Sequence, residues 1–294
     1  MPLEESSVPV SGDAAASNVS DGAMPPRAGL VLVDKPIGPS SFSVVGETAR
    51  ALNAPDAKRR LKAGHAGTLD PAASGLLLVL VGRATRLAQY LVGVDKSYRT
   101  EIQLGMTTTT GDAEGEQLGE GPVCSTSDLG ERLVGEIELP VPAASAVKID
   151  GERAYKRLRR GEDFEMPLRI STIRSLDLVE QTDARVTLEL LVSSGTYIRA
   201  IAHHLGGHCL SIRRLSVGPF DVASANSRMI LEPAAALPFL PTINIDEVEA
   251  HALRNGRALS APGSGMARAI FRDELVAVVR LADGLAHPET VIAR

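Results

Sequence analysis

The sequence predicts an α+β protein: a large mixed domain followed by a small β-rich module. Three observations carry that expectation. Leu30-Val31-Leu32-Val33 and Leu76-Leu77-Leu78-Val79-Leu80-Val81 are short apolar runs of the kind that form buried strands. Tyr98, Thr100, Ile102 and Leu104 alternate with polar residues, the period of a half-buried strand. Val44, Val45, Thr48, Ala49 and Leu52, and later Ala84, Leu87, Ala88 and Leu91, recur instead at helical spacing.

The bulk composition narrows the class. A chain of 294 residues accommodates one large domain and a smaller one, and 44% hydrophobic residues suffice for a real core. With no tryptophan and 3% aromatics, that core is built from Leu, Val, Ile and Ala, so each tyrosine merits inspection. No apolar run approaches the roughly 18 residues that span a bilayer, so no membrane partner is expected. Cys124 and Cys209 form no CxxC pair, which fits a reducing, cytoplasmic location. A net charge of −5 does not advertise nucleic-acid binding, which makes the clustering of the cations the useful question.

In chain order, residues 1–26 are rich in Ser, Ala, Gly, Pro and Asp without periodicity and are expected to be a disordered tail. Glu4 and Glu5 stand where an export signal would be positive. The first strand stops at Asp34-Lys35-Pro36, and Ser41 or Ser43 is positioned to cap the helix that ends around residues 53–55. Lys58-Arg59-Arg60-Leu61-Lys62 is a basic run that suits a phosphate-contacting edge. A second basic cluster, Tyr155-Lys156-Arg157-Leu158-Arg159-Arg160, lies in an excursion over residues 135–162. Residues 107–116 read as a long polar loop, and residues 186–192 as a strand. Thr196 looks like the N-cap of a helix with Tyr197 and Arg199 in its first turn, and Arg213-Arg214 adds a third positive pair. From Pro241 the character changes to short strands and one short helix. A module of some fifty residues is too small to be very stable alone and is expected to dock on the main body.

The stretch from Lys62 to Gly75 is the main candidate for chemistry. Three glycines and Pro71 make it a loop, yet it runs directly into the most apolar strand, so it can present a side chain from a rigid support. Pro71 biases Asp70 toward an extended backbone. On composition alone Asp-Pro is simply a turn. The arginine in the first turn of a later helix changes the weighting. A helix N-terminus is already positive, so Arg199 calls for an anion nearby, and Asp70 is a natural candidate. His203, His204, His208 and Cys209 invite a zinc site, but no second ligand cluster accompanies them, and no metal is expected. Surface histidines at a helix end are the expectation there.

The ordered motifs resemble the TruB family of tRNA pseudouridine-55 synthases. They are Val33-Asp34-Lys35-Pro36 with Gly38 and Ser40-Ser41, Gly64-His65 through Gly75, Tyr98-Arg99, and Leu104-Gly105 with Thr108, Thr110, Asp112 and Gly115. Ser145-Ala146-Val147-Lys148, Gly195-Thr196-Tyr197-Ile198-Arg199 and Arg213-Arg214-Leu215 follow in family order. The match runs from Gly29 to about Phe220 and more faintly to the end.

The resemblance implies a mixed, mainly antiparallel sheet flanked by helices over residues 27–240, with an RNA-binding thumb at about 135–162. It also implies a PUA-like RNA-binding module over residues 241–294. The implied activity is isomerisation of uridine 55 in the T-loop of tRNA to pseudouridine, by base flipping and without cofactor. Asp70 matches the nucleophile and Arg199 its partner; a carboxylate needs no general base to activate it. Attack at C1′ or at C6 is left open. His65 matches the residue that fills the space vacated by the flipped base, Tyr98 and Tyr197 those lining the base, and Ile212 an apolar wall. The basic clusters become backbone contacts to the T-arm. A monomer with no obligate protein partner is expected. Ala66, Ala72-Ala73-Ser74, Thr109, Leu158 and His203-His204 depart from the family pattern without removing a group the chemistry needs. The alternative is a tRNA-binding or tRNA-folding protein whose modification activity is secondary.

Overall fold

The structure is a computed structural model that describes residues 28–53, 60–121, 129, 133–162 and 164–292. The tail of residues 1–26, and Lys58 and Arg59 of the first basic run, lie outside the described residues. The strands β1 (Gly29–Lys35), β2 (Ala63–His65), β3 (Ala73–Val81) and β4 (Lys96–Leu104) precede a hairpin of β5 (Met106–Thr108) and β6 (Gln117–Glu120). After β7 (Gly135–Pro140) comes a second hairpin, β8 (Lys148–Ile149) and β9 (Glu152–Arg153). The main sheet is completed by β10 (Leu168–Gln181), β11 (Arg185–Val192), β12 (Gly207–Val217) and β13 (Phe220–Asp221).

Its order is β1-β3-β12-β4-β11-β10-β7, with β2 on β3 and β13 on β12. Every pairing is antiparallel except β3 with β12. The continuous apolar character of β3 follows from burial on both faces. Leu76, Leu78 and Leu80 enter one core, while Leu77, Val79 and Val81 enter another. Each such side chain contributes about 1.5–3 kcal/mol of burial. In β4 the alternation holds: Tyr98, Thr100, Ile102 and Leu104 are buried and Arg99 is exposed.

Several local expectations shift. Ser40, not Ser41 or Ser43, caps the helix Ser41–Ala51 by accepting from the Ser43 N–H. Of residues 107–116, the first two end β5 and residues 109–116 are the tip of the β5–β6 hairpin. The helical spacing at residues 84–91 resolves into a 3-10 segment, Gly82–Leu87, followed by the helix Ala88–Val92. The later helix is Ile198–His204, with Tyr197 rather than Thr196 at its N-cap.

The C-terminal strands β14 (Thr242–Asn244), β15 (Leu259–Ser260), β16 (Gly265–Phe271), β17 (Glu274–Ala282) and β18 (Leu285–Val291) form a second sheet in the order β14-β16-β17-β18-β15. Its hairpin turns place Arg272-Asp273 and Asp283-Gly284 at positive φ, the geometry that tight two-residue turns require. The helix Glu247–Arg254 starts with a capping box of Asp246 and Glu249. Leu275, Val278 and Ile292 join the same core as Leu30, Leu76 and Leu80, so the module docks on the main body through a shared apolar layer. The Tyr90 hydroxyl adds a 2.8 Å hydrogen bond to Thr290 Oγ1. Among the described residues no helix is long and apolar enough to cross a membrane.

Candidate active site

The parallel contact between β3 and β12 fixes the geometry of the loop before β3. Gly75 pairs with Arg214 there, at φ +107°, and a Cβ on it would lie 2.2 Å from the Arg214 carbonyl oxygen. Only glycine fits. Gly75→Ala is expected to cost about 2–4 kcal/mol, combining left-handed strain with a backbone clash that cannot relax. Gly64→Ala should be nearly neutral, because nothing lies within 4 Å of its Cβ position. Denaturant unfolding of both variants checks the contrast.

Arg214 also pins the loop. Its side chain is fully buried and donates to the carbonyls of Leu76 at 2.7 Å, Gly67 at 3.1 Å and Thr68 at 3.3 Å. The Ser41 hydroxyl clamps Leu69 twice, accepting from its N–H and donating to its carbonyl, both at 2.8 Å. Lys35 Nζ donates to the carbonyls of Pro36, Pro39 and Pro71. Burial lowers the Lys35 pKa, partly opposed by the nearby Asp70 carboxylate. Asp70 thus stands on a loop whose backbone is held from three sides.

Arg199 completes the arrangement. Its side chain is 4% exposed, with Nη2 2.8 Å from Asp70 Oδ2 and Nη1 3.5 Å from Asp112 Oδ2. It donates further to the carbonyls of Thr110 at 2.6 Å and Ala144 at 3.0 Å. The anion that the sequence called for is therefore two carboxylates, one 43% exposed and one 10% exposed. Asp112 is held by the Thr110 hydroxyl and the Glu114 N–H. Gly111, at φ +75°, lets this loop pass close against Arg199. An alternating line of charge, Asp70, Arg199, Asp112, ends at the half-exposed carboxylate.

Asp70, Tyr98, Tyr197, Arg199 and Ile212 line one cavity of about 280 Å³. His65 is not on its wall. It is half-buried in β2 opposite Val79, and burial together with Arg214 lowers its pKa, favouring the neutral ring. Lys96 also lines the cavity; its ammonium donates to the carbonyls of Val92 and Val94, and burial pulls its pKa down to about 8. A larger cavity, about 670 Å³, opens near Arg83, Arg86, Glu232 and Glu274, but it mixes both signs of charge and holds none of these residues.

The basic clusters fare unevenly. Arg214 is internal, so it is not open to RNA, while Arg213, its side chain 41% exposed, is paired with Asp34 at 2.7 Å. Over residues 135–162, Arg157 and Arg160 are paired with Asp150, Glu152 and Glu162, while Lys148, Arg153, Lys156 and Arg159 are exposed. The histidines do not converge on a metal. His208 is buried in β12 with Nδ1 2.8 Å from the Met106 carbonyl, not on a surface helix end. Burial raises the Cys209 thiol pKa to about 12. Among the described residues no group of three or more His, Cys, Asp and Glu could hold an ion.

A carboxylate, buttressed by arginine at the edge of a ring-lined cavity, can attack an electrophilic carbon. Comparison with known proteins identifies the family. The family model of TruB family pseudouridylate synthase (N terminal domain) matches residues 55–198. The chain is 40% identical to tRNA pseudouridine synthase B of Roseobacter denitrificans, covering 90% of this chain and 95% of that protein. It is 39% identical to the protein of the same name from Leifsonia xyli, covering 80% and 84%. In fold it is similar to a chain of a solved Cbf5-Nop10-Gar1 complex, with a TM-score of 0.67 and 24% identity over 91% of this chain and 85% of that one.

Proposed function

The chain belongs to the TruB family of pseudouridylate synthases, and from that membership we propose that it converts uridine 55 in the T-loop of tRNA with Asp70 as the nucleophile. It is a tRNA pseudouridine synthase, an enzyme that isomerises uridine in tRNA to pseudouridine. One observation carries the catalytic assignment: the Asp70–Arg199–Asp112 line ends on the cavity that Tyr98, Tyr197 and Ile212 also line.

In the isomerisation the bond from N1 to C1′ breaks and a bond from C5 to C1′ forms. The C5 proton is lost and N1 gains one, so no co-substrate is consumed. A uridine within a folded T-arm must leave its stack first, at a cost of a few kcal/mol. Once in the cavity, its ring meets Tyr98 and Tyr197, whose faces accept any pyrimidine stack. Asp70 then adds to the nucleotide, holds one fragment while the base turns, and is released when its own bond breaks as the C5–C1′ product forms. Arg199 keeps the carboxylate aimed, and Asp112 fixes the second edge of the guanidinium. His65, outside the cavity, would support the RNA from which the base departed.

Residues 27–240 supply this chemistry, and residues 241–294 form a second RNA-binding module. Exposed Lys148, Arg153 and Lys156 at the thumb supply phosphate contacts whose strength should fall with salt. The proposed acting form is a monomer in the cytoplasm. The test is incubation with unmodified tRNA followed by mapping of pseudouridine. A single modification in the T-loop is expected; modification elsewhere, or none, would overturn the assignment.

A further inference from the structure

Among the described residues, the buried side-chain polar atoms without a hydrogen-bond partner are His65 Nδ1, Ser145 Oγ and Arg254 Nε. Of these three residues, only Ser145 lines the cavity that holds Asp70. It is 6% exposed. Buried hydroxyls are normally paired, because an unpaired one costs about 1–3 kcal/mol, so an orphan beside a reacting group calls for a reason.

The backbone around Ser145 is tied on both sides. The Ala144 carbonyl accepts from Arg199 Nη2 at 3.0 Å, and the same nitrogen holds Asp70 at 2.8 Å. The Ser145 carbonyl accepts from the Tyr155 N–H at 3.1 Å, and the Val147 carbonyl from the Ala154 N–H at 2.8 Å. One guanidinium nitrogen therefore sets the nucleophile and the neighbour of the hydroxyl in register. What remains free is rotation about the Ser145 side-chain bond, among three staggered positions.

The chemistry of the partner follows from the group. A neutral, deeply placed hydroxyl suits a neutral carbonyl or ring N–H rather than a phosphate, which calls for charge and solvent. Tyr98, Tyr197 and Ile212 offer faces and apolar surface to a ring, but a pyrimidine also has a polar edge. During the isomerisation that edge changes direction as N1 gives way to C5. A hydroxyl can donate or accept, so one side chain can serve both orientations. We propose that Ser145 Oγ hydrogen-bonds the polar edge of the extruded uracil and positions it through the turn. The proposal rests on the uridine-isomerase function above.

The test is Ser145→Ala in the full chain, with three readouts: single-turnover pseudouridine formation, tRNA affinity and thermal unfolding. The rate should fall about tenfold, the loss of one hydrogen bond to a bound ring. Affinity should stay within about twofold, since most of it comes from the RNA backbone. The melting temperature should hold or rise, because the variant removes an unpaired buried hydroxyl. A rate within twofold of wild type would overturn the proposal. So would a joint fall in rate and melting temperature, which marks a packing role, or weakened tRNA binding at an unchanged rate, which marks a backbone contact. An inactive wild type would sink the parent function and this proposal together; an active wild type with an unimpaired variant sinks this one alone.

Discussion

Asp70→Asn should abolish pseudouridine formation, with a loss of roughly 10⁴-fold or more in the single-turnover rate, while tRNA still binds. Asparagine keeps the size and backbone preference of aspartate, and the loop is held by Ser41, Lys35 and Arg214 rather than by the carboxylate itself. The variant should therefore fold and present the same surface to RNA. What it loses is the anionic oxygen, and a neutral amide has neither the charge nor the nucleophilicity to replace it. Removal of a nucleophile from a preorganised site costs most of the chemistry, because the remaining groups only bind and orient. Activity within tenfold of wild type would eliminate Asp70 as the nucleophile.

Arg199→Lys should slow the chemical step by about 10²–10³-fold and change tRNA affinity only a few-fold. The guanidinium is 4% exposed and meets Asp70, Asp112 and the carbonyls of Thr110 and Ala144. A lysine carries the same charge but cannot span those four acceptors with one rigid fork. Asp70 and Asp112 would then compete for a single ammonium, and Asp70 would lose its fixed orientation. A loss of this size is typical when one preorganised electrostatic partner is removed. Parallel losses in rate and affinity would instead make Arg199 an RNA contact, which its burial argues against.

The loop before β3 was legible because its local chemistry is unusual: glycines, Asp70 before Pro71, and an apolar strand directly behind. Arg199 was legible for the opposite reason, as a cation at the positive end of a helix. The partner set was only half visible. Asp70 was expected, but Asp112 lies in a hairpin tip with no periodic signal, and Cys209 pairs beside it only through a bridge across the chain. The central strand β12 left no clear pattern either. It mixes His208, Ser211, Arg213 and Arg214 with apolar residues and carries two register shifts against β4, which break strict alternation. For the same reason Arg214 looked like a surface cation, although it is among the largest fully buried side chains.

The sequence by itself determined that β1, β3, β4 and β11 are strands and Ser41–Ala51 a helix, and which residue types could carry the reaction, because periodicity and side-chain chemistry are local. Only the tertiary structure decided which of those residues meet. The parallel approach of β12 to β3 places Arg214 behind the loop, and the hairpin tip against the helix Ile198–His204 gives Arg199 its second carboxylate. Both are contacts between segments some 90 to 140 residues apart. Their cause is the burial of a shared core, in which charged groups persist only where acceptors have been gathered around them.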